Sequence, residues 1–305
     1  MSLYNKYRPT DFESIFGNLQ TIESISNMIS KPNPPHTYLL TGETGCGKTT
    51  VGRIIANKLG CIGNDLREIN TADMRGIDQV RDIIKQAQYR PIEGPCMVWL
   101  IDECHKLTKD AQNAFLKLLE DTPSHVYFIL CTTDPKDLLS TIKGRCSTFN
   151  MNPLGDREML LLLRKIVIGE GENLEREIYN QIVQDSLGHP RNAIQVLEQV
   201  LNVEPGKRLE VAKRKAEEMS EAIELCRTLI SGGNNWKKIA GILTGLKTQD
   251  PEGIRRMVLG YAQSILLGGQ DNEKAAVVLV YFNDPFYNSG FPSLTLACYQ
   301  VLHHE

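Results

Sequence analysis

The sequence predicts an α/β fold in which a parallel β-sheet domain is followed by two helical domains. Three observations support this prediction: apolar β-forming segments alternate with helical patterns, a glycine-rich loop joins one such segment to a helix, and strand-like patterns end near residue 150. A chain of 305 residues is also long for one domain. We therefore predict domains at residues 1–152, 153–206 and 207–305.

The strand-like segments are short, apolar and separated by helical patterns, which is typical of a parallel sheet covered on both faces. They are residues 37–40, 66–69, 97–101 and 126–131. The helix after the third segment has Thr108 as its predicted N-cap and ends before Pro123. Beyond residue 150 the patterns are helical, with glycine-rich breaks between them.

The glycine-rich loop, TGETGCGKTT at residues 41–50, has the spacing G-x-x-x-x-G-K-T that binds phosphate. Glycines permit the positive φ and close approach that the backbone needs, Lys48 reaches the outer phosphates, and the Thr49 hydroxyl coordinates Mg²⁺. A glycine-rich turn without a ligand is the alternative, but the strand-to-helix context favours nucleotide binding. The predicted nucleotide-binding residues of this loop are Gly42, Glu43, Thr44, Gly45, Cys46, Gly47, Lys48, Thr49 and Thr50.

Two acidic residues follow the third apolar segment. Asp102 is predicted to coordinate Mg²⁺ through water, and Glu103 to orient and polarise the water that attacks the γ-phosphate. Adjacent acids also occur simply at helix starts, but the upstream phosphate loop favours the catalytic interpretation. Thr132 or Thr133 should lie near the γ-phosphate if its strand lies between the other two, with Thr133 as the polar sensor; threonine also simply favours strands.

Two arginines are candidates for contact with phosphate. Arg145 is predicted to act on the nucleotide of a neighbouring subunit, where a guanidinium stabilises the charge that develops in phosphoryl transfer. A surface arginine without such a role is the alternative. Pro190 suits the first turn of a helix, so Arg191 would project from a helix start towards the nucleotide.

The composition narrows the class of protein. With 41% hydrophobic and 23% charged residues and a net charge of −3, the chain is globular and is not coated with basic surface, so any DNA contact must be local. We see no apolar stretch of membrane-spanning length and no secretory signal, and therefore expect a cytoplasmic protein without membrane contact. The eight cysteines form no C-x-x-C pair, which argues against a zinc ribbon or disulfide framework.

Together these motifs resemble the AAA+ ATPases of the clamp-loader family, which includes bacterial motor subunits and the small subunits of replication factor C. Residues 4–18 resemble the family's amino-terminal KYRP segment, and residues 98–138 resemble its Walker B to sensor 1 region. The GRC at 144–146 is similar to the motif of the arginine that acts in trans, and GHPRNA at 188–193 is similar to sensor 2.

The resemblance implies an AAA+ P-loop domain, a helical lid and a helical collar, with ATP and Mg²⁺ as cofactors. It implies catalytic roles for Lys48, Glu103 and Arg145. The further residues that it implies at the nucleotide are Tyr4, Arg8, Pro9 and Phe16 against the adenine and Pro190 and Arg191 in sensor 2. Its implied partners are a sliding clamp, primer–template DNA, and other clamp-loader subunits in a pentameric ring. Arg75 and Lys109, at two helix starts, are the implied DNA contacts, although a solvated helix surface explains each residue equally well.

Two departures from the family pattern stand out. Bacterial motor subunits carry a cysteine-rich zinc module after the phosphate-loop helix, whereas this chain has only Cys61 there, and Gly144 replaces the family's serine. The chain therefore resembles a compact zinc-free form, as in replication factor C small subunits or phage loaders, from a bacterial or phage-infected cell. The alternatives are a ring subunit without turnover, another DNA-acting AAA+ protein such as a branch-migration motor or helicase loader, and a small-molecule kinase.

Overall fold

A computed structural model describes residues 2–71, 76–186, 188–230, 236–267, 272–286 and 289–304. The chain divides into two compact units, Met1–Pro205 and Gly206–Glu305. The separation of a lid domain at 153–206 from the α/β domain at 1–152 stays a prediction.

The first unit contains one five-stranded sheet in which all neighbouring strands are parallel. The strands are β1 (Thr37–Gly42), β2 (Leu66–Asn70), β3 (Met97–Asp102), β4 (Val126–Thr132) and β5 (Ser147–Met151), in the spatial order β2-β3-β4-β1-β5. The fourth strand lies between the first and third, which is the condition set for a sensor threonine, so β1, β3 and β4 end side by side at one edge.

Helices connect and cover these strands, as the alternating pattern predicts. They are α1 (Leu3–Lys6), α2 (Leu19–Ile29), α3 (Lys48–Lys58), α4 (Ile77–Gln86), α5 (Lys109–Glu120), α6 (Ser140–Lys143), α7 (Asp156–Gly169), α8 (Arg176–Ser186) and α9 (Pro190–Leu201). The predicted N-cap of α5 is confirmed, because the Thr108 hydroxyl accepts a hydrogen bond from the Ala111 N–H at 3.2 Å.

Successive strand residues pack into two different cores, one on each face of the sheet. Leu40 and Leu100 lie in the core formed with α2 and α3, whereas Leu39 and Ile101 lie in the core formed with α4 and α5. This alternation follows from the two-residue period of a strand. Because both faces are buried, the central strands have continuously apolar sequences, which is why they are recognisable from sequence.

The fifth strand corrects the sequence prediction, which contained only four. In β5, Phe149 and Met151 are buried, while Thr148 and Asn150 are exposed. This edge strand pairs only with β1 among the described residues, so it lacks the continuous apolar run of a central strand.

The second unit is helical, as predicted, and its described residues contain no strand. Its helices are α10 (Arg208–Ile230), α11 (Trp236–Gly245), α12 (Pro251–Leu267), α13 (Glu273–Tyr281) and α14 (Gly290–Leu302). Its apolar core also encloses an ion pair, in which the Arg255 guanidinium donates to both carboxylate oxygens of Glu252 at 2.7 and 2.9 Å. Among the helices of the described ranges, none has the length and apolar character needed to cross a membrane.

Candidate active site

The loop between β1 and α3 has the backbone that its sequence predicts. Gly42, Gly45 and Gly47 have φ values of 142°, 84° and 94°, so all three positive-φ predictions are confirmed. A Cβ on Gly42 would lie 2.2 Å from the carbonyl oxygen of Met151 on β5, whereas a Cβ on Gly47 would meet nothing within 4 Å. Gly42 is therefore needed for the fold, and Gly47 leaves open space above the start of α3.

Lys48 is the first residue of α3 and is buried. Its ammonium group donates hydrogen bonds of 2.8 Å to the carbonyl oxygens of Gly42 and Glu43. The N-cap of α3 is Gly47, so no side chain at that position competes for the N–H groups of the first turn. The loop thus gathers a cation, free backbone donors and the positive end of a helix dipole, the combination that binds phosphate.

The predicted magnesium ligands meet at the end of the sheet. The Thr49 hydroxyl donates a 2.7 Å hydrogen bond to Oδ2 of Asp102, which ends β3. A hydroxyl and a carboxylate are hard oxygen ligands of the kind that Mg²⁺ prefers, so this pair fits that ion. Both residues line a polar cleft together with Thr44, Lys48 and Glu103.

Glu103 has a left-handed backbone, with φ of 54° and ψ of 37°, in the turn after β3. Such a conformation costs a non-glycine residue about 1–3 kcal/mol and is common at functional sites. The Thr71 hydroxyl donates to the Glu103 carbonyl oxygen, and the Thr133 hydroxyl donates to carboxylate Oε2 at 3.3 Å. The structure therefore brings the predicted base and the predicted sensor into contact.

A second, apolar cleft adjoins the polar one and contains all four residues predicted at the adenine: Tyr4, Arg8, Pro9 and Phe16. The two clefts share Tyr4, Gly45, Gly47 and Thr50. The sequence did not predict the rest of the apolar wall, which includes Ile15, Asn18, Met151, Leu154, Leu162, Pro190 and Ile194, with Pro190 predicted only as part of sensor 2. No local motif marks these residues, because they come from separate segments.

Two arginines converge on Tyr4 between the clefts. The guanidinium groups of Arg191 and Arg8 lie 5.0 and 5.2 Å from its ring centroid, and each donates a 3.2 Å hydrogen bond to its hydroxyl. Burial alone would raise the pKa of the Tyr4 phenol, but the hydrogen bonds and charges of both arginines outweigh it and lower that pKa. Arg8 also donates to the Thr50 hydroxyl at 3.2 Å, which connects this cluster to α3.

His189, immediately before α9, is a contact of the phosphate loop that sequence analysis did not single out. Its Nε2 lies 3.2 Å from the Glu43 carboxylate and its Nδ1 lies 3.8 Å from the Cys46 sulfur. Burial is the main cause that raises the pKa of the Cys46 thiol. Arg191 follows two residues later, so the start of α9 approaches both the loop and Tyr4.

The remaining predicted site residues do not line either cleft or lie outside the described ranges. Arg145 follows α6, and its guanidinium donates to the Thr141 carbonyl oxygen at 2.9 Å and to the Glu120 carboxylate. Lys109 is exposed at the start of α5. Arg75, the other predicted DNA contact, lies outside the residues that the structure describes.

Comparison with known proteins finds relatives that share the region of the site. A family described as "DNA polymerase III, delta subunit" matches residues 62–155. DNA polymerase III subunit gamma of Buchnera aphidicola subsp. Schizaphis graminum is 33% identical over 222 residues, which are 66% of this chain and 61% of that protein. The corresponding subunit tau of Escherichia coli (strain K12) is 31% identical over 220 residues, which are 65% of this chain and 34% of that protein.

The chain therefore covers less than two thirds of the length of these curated relatives. Among solved structures, the Thermotoga maritima RuvB Holliday junction branch migration motor superposes with a TM-score of 0.61 over 73% of this chain and 79% of that one. Its sequence is 19% identical, so this likeness shows the fold alone.

Proposed function

We propose that this chain is a member of the clamp-loader family of AAA+ proteins and an ATP-hydrolysing motor subunit of a DNA polymerase sliding-clamp loader. Its first unit has the AAA+ P-loop fold. The observation that carries the proposal is the junction of Thr49, Asp102, Glu103 and Thr133 beside a phosphate loop with three positive-φ glycines. A ring subunit without turnover would not need Glu103 and Thr133 in contact.

The two clefts divide the work of binding ATP. The apolar cleft suits the base, and the polar cleft suits the phosphates, where Lys48 and the start of α3 supply positive charge. Thr49 and Asp102 would hold Mg²⁺, which neutralises charge on the phosphate oxygens when bound. Arg191 is placed to reach phosphate from α9 while its contact with Tyr4 keeps it at the cleft boundary.

Glu103 is the proposed general base. Its carboxylate orients the attacking water and takes up a proton as that water's oxygen bonds to the γ-phosphorus and the bond to the bridging oxygen of ADP breaks. Thr133 holds the carboxylate from the end of β4. Because β4 lies beside β3, the Thr133 hydroxyl after β4 can reach the carboxylate of Glu103, which follows β3.

Arg145 is the proposed contribution to a neighbouring subunit. Its side chain is about one third exposed, and its guanidinium bonds within its own chain to Glu120 at the end of α5 and to the Thr141 carbonyl oxygen in α6. In an assembled ring, that surface would complete the site of the next subunit, where an arginine stabilises the charge of the transition state. Turnover would then depend on assembly.

The substrate and partners follow from the relatives' names, which describe subunits of DNA polymerase III. We propose a pentameric ring with other clamp-loader subunits, acting on a sliding clamp and primer–template DNA in the cytoplasm of a bacterial or phage-infected cell. Lys109 and Arg75 are the proposed DNA contacts. Different affinities of the open-clamp state for ATP and ADP would drive the cycle, because a ligand shifts an equilibrium only through differential affinity.

The test is ATP turnover by the complex that co-purifies with this chain. We expect turnover that clamp and primed DNA together stimulate, and a fall in kcat of about 10²–10⁴-fold for Glu103→Gln with ATP affinity retained. Glu23→Gln, an exposed acid on α2, is the matched control and should leave both quantities unchanged.

Two results would contradict the proposal in different ways. Equal turnover with and without clamp and DNA would argue for another DNA-acting AAA+ protein, which a strand-unwinding assay without clamp would then examine. A single-turnover rate that Glu103→Gln leaves unchanged would instead argue for a structural ring subunit.

A further inference from the structure

We propose that His105 is a positioning residue for Glu103, and that it connects the Thr132 hydroxyl at the end of β4 to the catalytic carboxylate. This inference rests on the proposed ATP hydrolysis at this site. His105 lies in the short turn after β3 and was not among the residues that the motifs single out.

The imidazole of His105 bridges two groups of the site. Its Nδ1 lies 3.0 Å from Oγ1 of Thr132, and its Nε2 lies 3.4 Å from Oε2 of Glu103. The His105 side chain is 13% exposed and Thr132 is fully buried, so little water competes for these contacts. The second contact lies within ion-pair distance but does not have the geometry of a hydrogen bond, which leaves room for it to tighten when substrate is bound.

The available donors and acceptors fix the direction of each hydrogen bond. The Glu103 carboxylate only accepts, so a hydrogen bond from His105 to it needs the tautomer with the proton on Nε2, and in that tautomer Nδ1 is an acceptor. The Thr132 oxygen already accepts the Asp134 N–H at 3.1 Å, and its hydroxyl proton is available for Nδ1. In that tautomer, the chain of donation runs from Asp134 N–H through Thr132 to His105, and it extends to Glu103 when the Nε2 contact tightens.

This chain selects which oxygen of Glu103 does chemistry. Within the described part of the protein, the side-chain contacts of the carboxylate all reach Oε2, from His105, Thr133 and, at 4.0 Å, Lys106. Oε1 is thus left to accept the proton of the attacking water. The left-handed backbone of Glu103 is a strained conformation, which persists only where the surrounding contacts hold it.

Both threonines at the end of β4 therefore act on the same carboxylate oxygen. Thr133 reaches Oε2 directly, and Thr132 reaches it through the imidazole. The end of β4 thus positions Glu103 in two ways, directly through Thr133 and indirectly through Thr132 and His105.

The experiment replaces His105 by three residues in the complex that co-purifies with this chain. Glutamine can place an amide donor near the position of Nε2 but offers nothing at Nδ1, whereas asparagine reaches only the position of Nδ1. We expect alanine and asparagine to lower kcat by about 10- to 100-fold, since a catalytic group misplaced by about 1 Å costs this much. We expect glutamine to recover kcat to within about fivefold of wild type.

The apparent affinity for ATP should change less than twofold in all three variants, because the imidazole contacts Glu103 and Thr132 and not the phosphate loop. Thr132→Val, which removes the hydroxyl at nearly constant volume and leaves Nε2 of His105 in place, should lower kcat no more than glutamine does, by less than about fivefold. His125→Ala is the matched control, because that imidazole contacts only the Tyr89 carbonyl oxygen, at 2.8 Å, among the described residues.

The outcomes separate this inference from the function on which it rests. If the wild-type complex hydrolyses ATP and His105→Ala keeps kcat within twofold, the inference is wrong and the proposed function stands. Equal losses in the glutamine and asparagine variants would assign His105 a structural role and also overturn it. A wild-type complex without turnover would overturn the proposed function and this inference together.

Discussion

Replacement of Asp65 by asparagine is expected to destabilise the Met1–Pro205 unit by about 3 kcal/mol at neutral pH. The Asp65 carboxylate is fully buried and accepts hydrogen bonds from three successive backbone N–H groups, those of Ile92 (2.7 Å), Glu93 (2.7 Å) and Gly94 (2.8 Å). These groups belong to the segment that leads into β3. Asp65 therefore fixes the approach to the strand that ends at the acidic pair.

The magnitude follows from counting acceptors. An asparagine oxygen can serve two of the three N–H groups, and the amide NH₂ points a donor at the third. A buried donor left unsatisfied costs about 1–3 kcal/mol, and the two remaining bonds lose the extra strength of a charged acceptor. For a unit of this size, about 3 kcal/mol corresponds to a fall in Tm of roughly 6–12 °C.

The loss should depend on pH. Burial opposes ionisation of Asp65, but the three N–H donors outweigh it and hold the pKa of its carboxyl below the usual range. A carboxyl with a lowered folded-state pKa contributes stability above its unfolded pKa of about 3.9, and that stability is lost as pH falls through the folded-state value. The difference between wild type and Asp65→Asn should therefore be largest near pH 7 and should narrow below about pH 4.

Thermal unfolding of the full chain between pH 7 and pH 3 measures this difference. Asp78→Asn is the matched control, because Asp78 is exposed and pairs only with Arg81 on α4 among the described residues, so its loss should cost less than about 0.5 kcal/mol. A Tm for Asp65→Asn within 2 °C of wild type at pH 7, or a difference that widens in acid, would refute the reasoning.

Two further substitutions test backbone and buried charge, each by thermal unfolding of the full chain. Gly42→Ala should lower the free energy of unfolding by more than about 2 kcal/mol, since its Cβ would lie 2.2 Å from a β5 carbonyl oxygen. Gly47→Ala should lower it by only about 1–2 kcal/mol, through backbone strain alone. Equal losses would show that β5 moves to accommodate the Cβ. Glu252→Gln should destabilise the second unit by about 3 kcal/mol, because it leaves the buried guanidinium of Arg255 without its charged partner. Glu224→Gln, which removes the charge of an exposed pair, should destabilise it by less than about 0.5 kcal/mol. Similar Tm values for the two variants would contradict this reasoning.

The parts of the site that the sequence predicted are those for which the local chemistry permits few residue types. A positive φ beside another strand admits only glycine at Gly42, and a cation at the start of α3 requires Lys48 in one register. The central strands were recognisable because burial on both faces demands continuous apolar sequence. Their order was not predicted, and the position of β4 between β1 and β3 entered only as the condition for a sensor threonine.

The missed parts depend on contacts between distant residues. Strand β5 is half-exposed at an edge, so polar and apolar residues alternate in it, and over five residues that alternation is too short to identify a strand. The apolar cleft is assembled from an amino-terminal segment, β5, α7 and α9, and Tyr4 meets Arg191 across 187 residues of sequence. His105 contacts Thr132 and His189 contacts Glu43, and only the folded chain brings these side chains near.

This difference in origin implies a difference in function between the two clefts. The residues that we propose to act on the γ-phosphate come from strand ends held by the sheet, so their geometry is set by a rigid, doubly buried core. The apolar cleft is bounded by Tyr4, whose hydroxyl and ring are contacted by Arg8 from the amino-terminal segment and by Arg191 from α9. A shift of α9 would therefore move the Arg191 guanidinium and the wall of the proposed adenine cleft together, while Asp102 and Glu103 stay fixed at the end of β3. Affinity for nucleotide can in this way respond to the position of one helix without disturbing the chemistry.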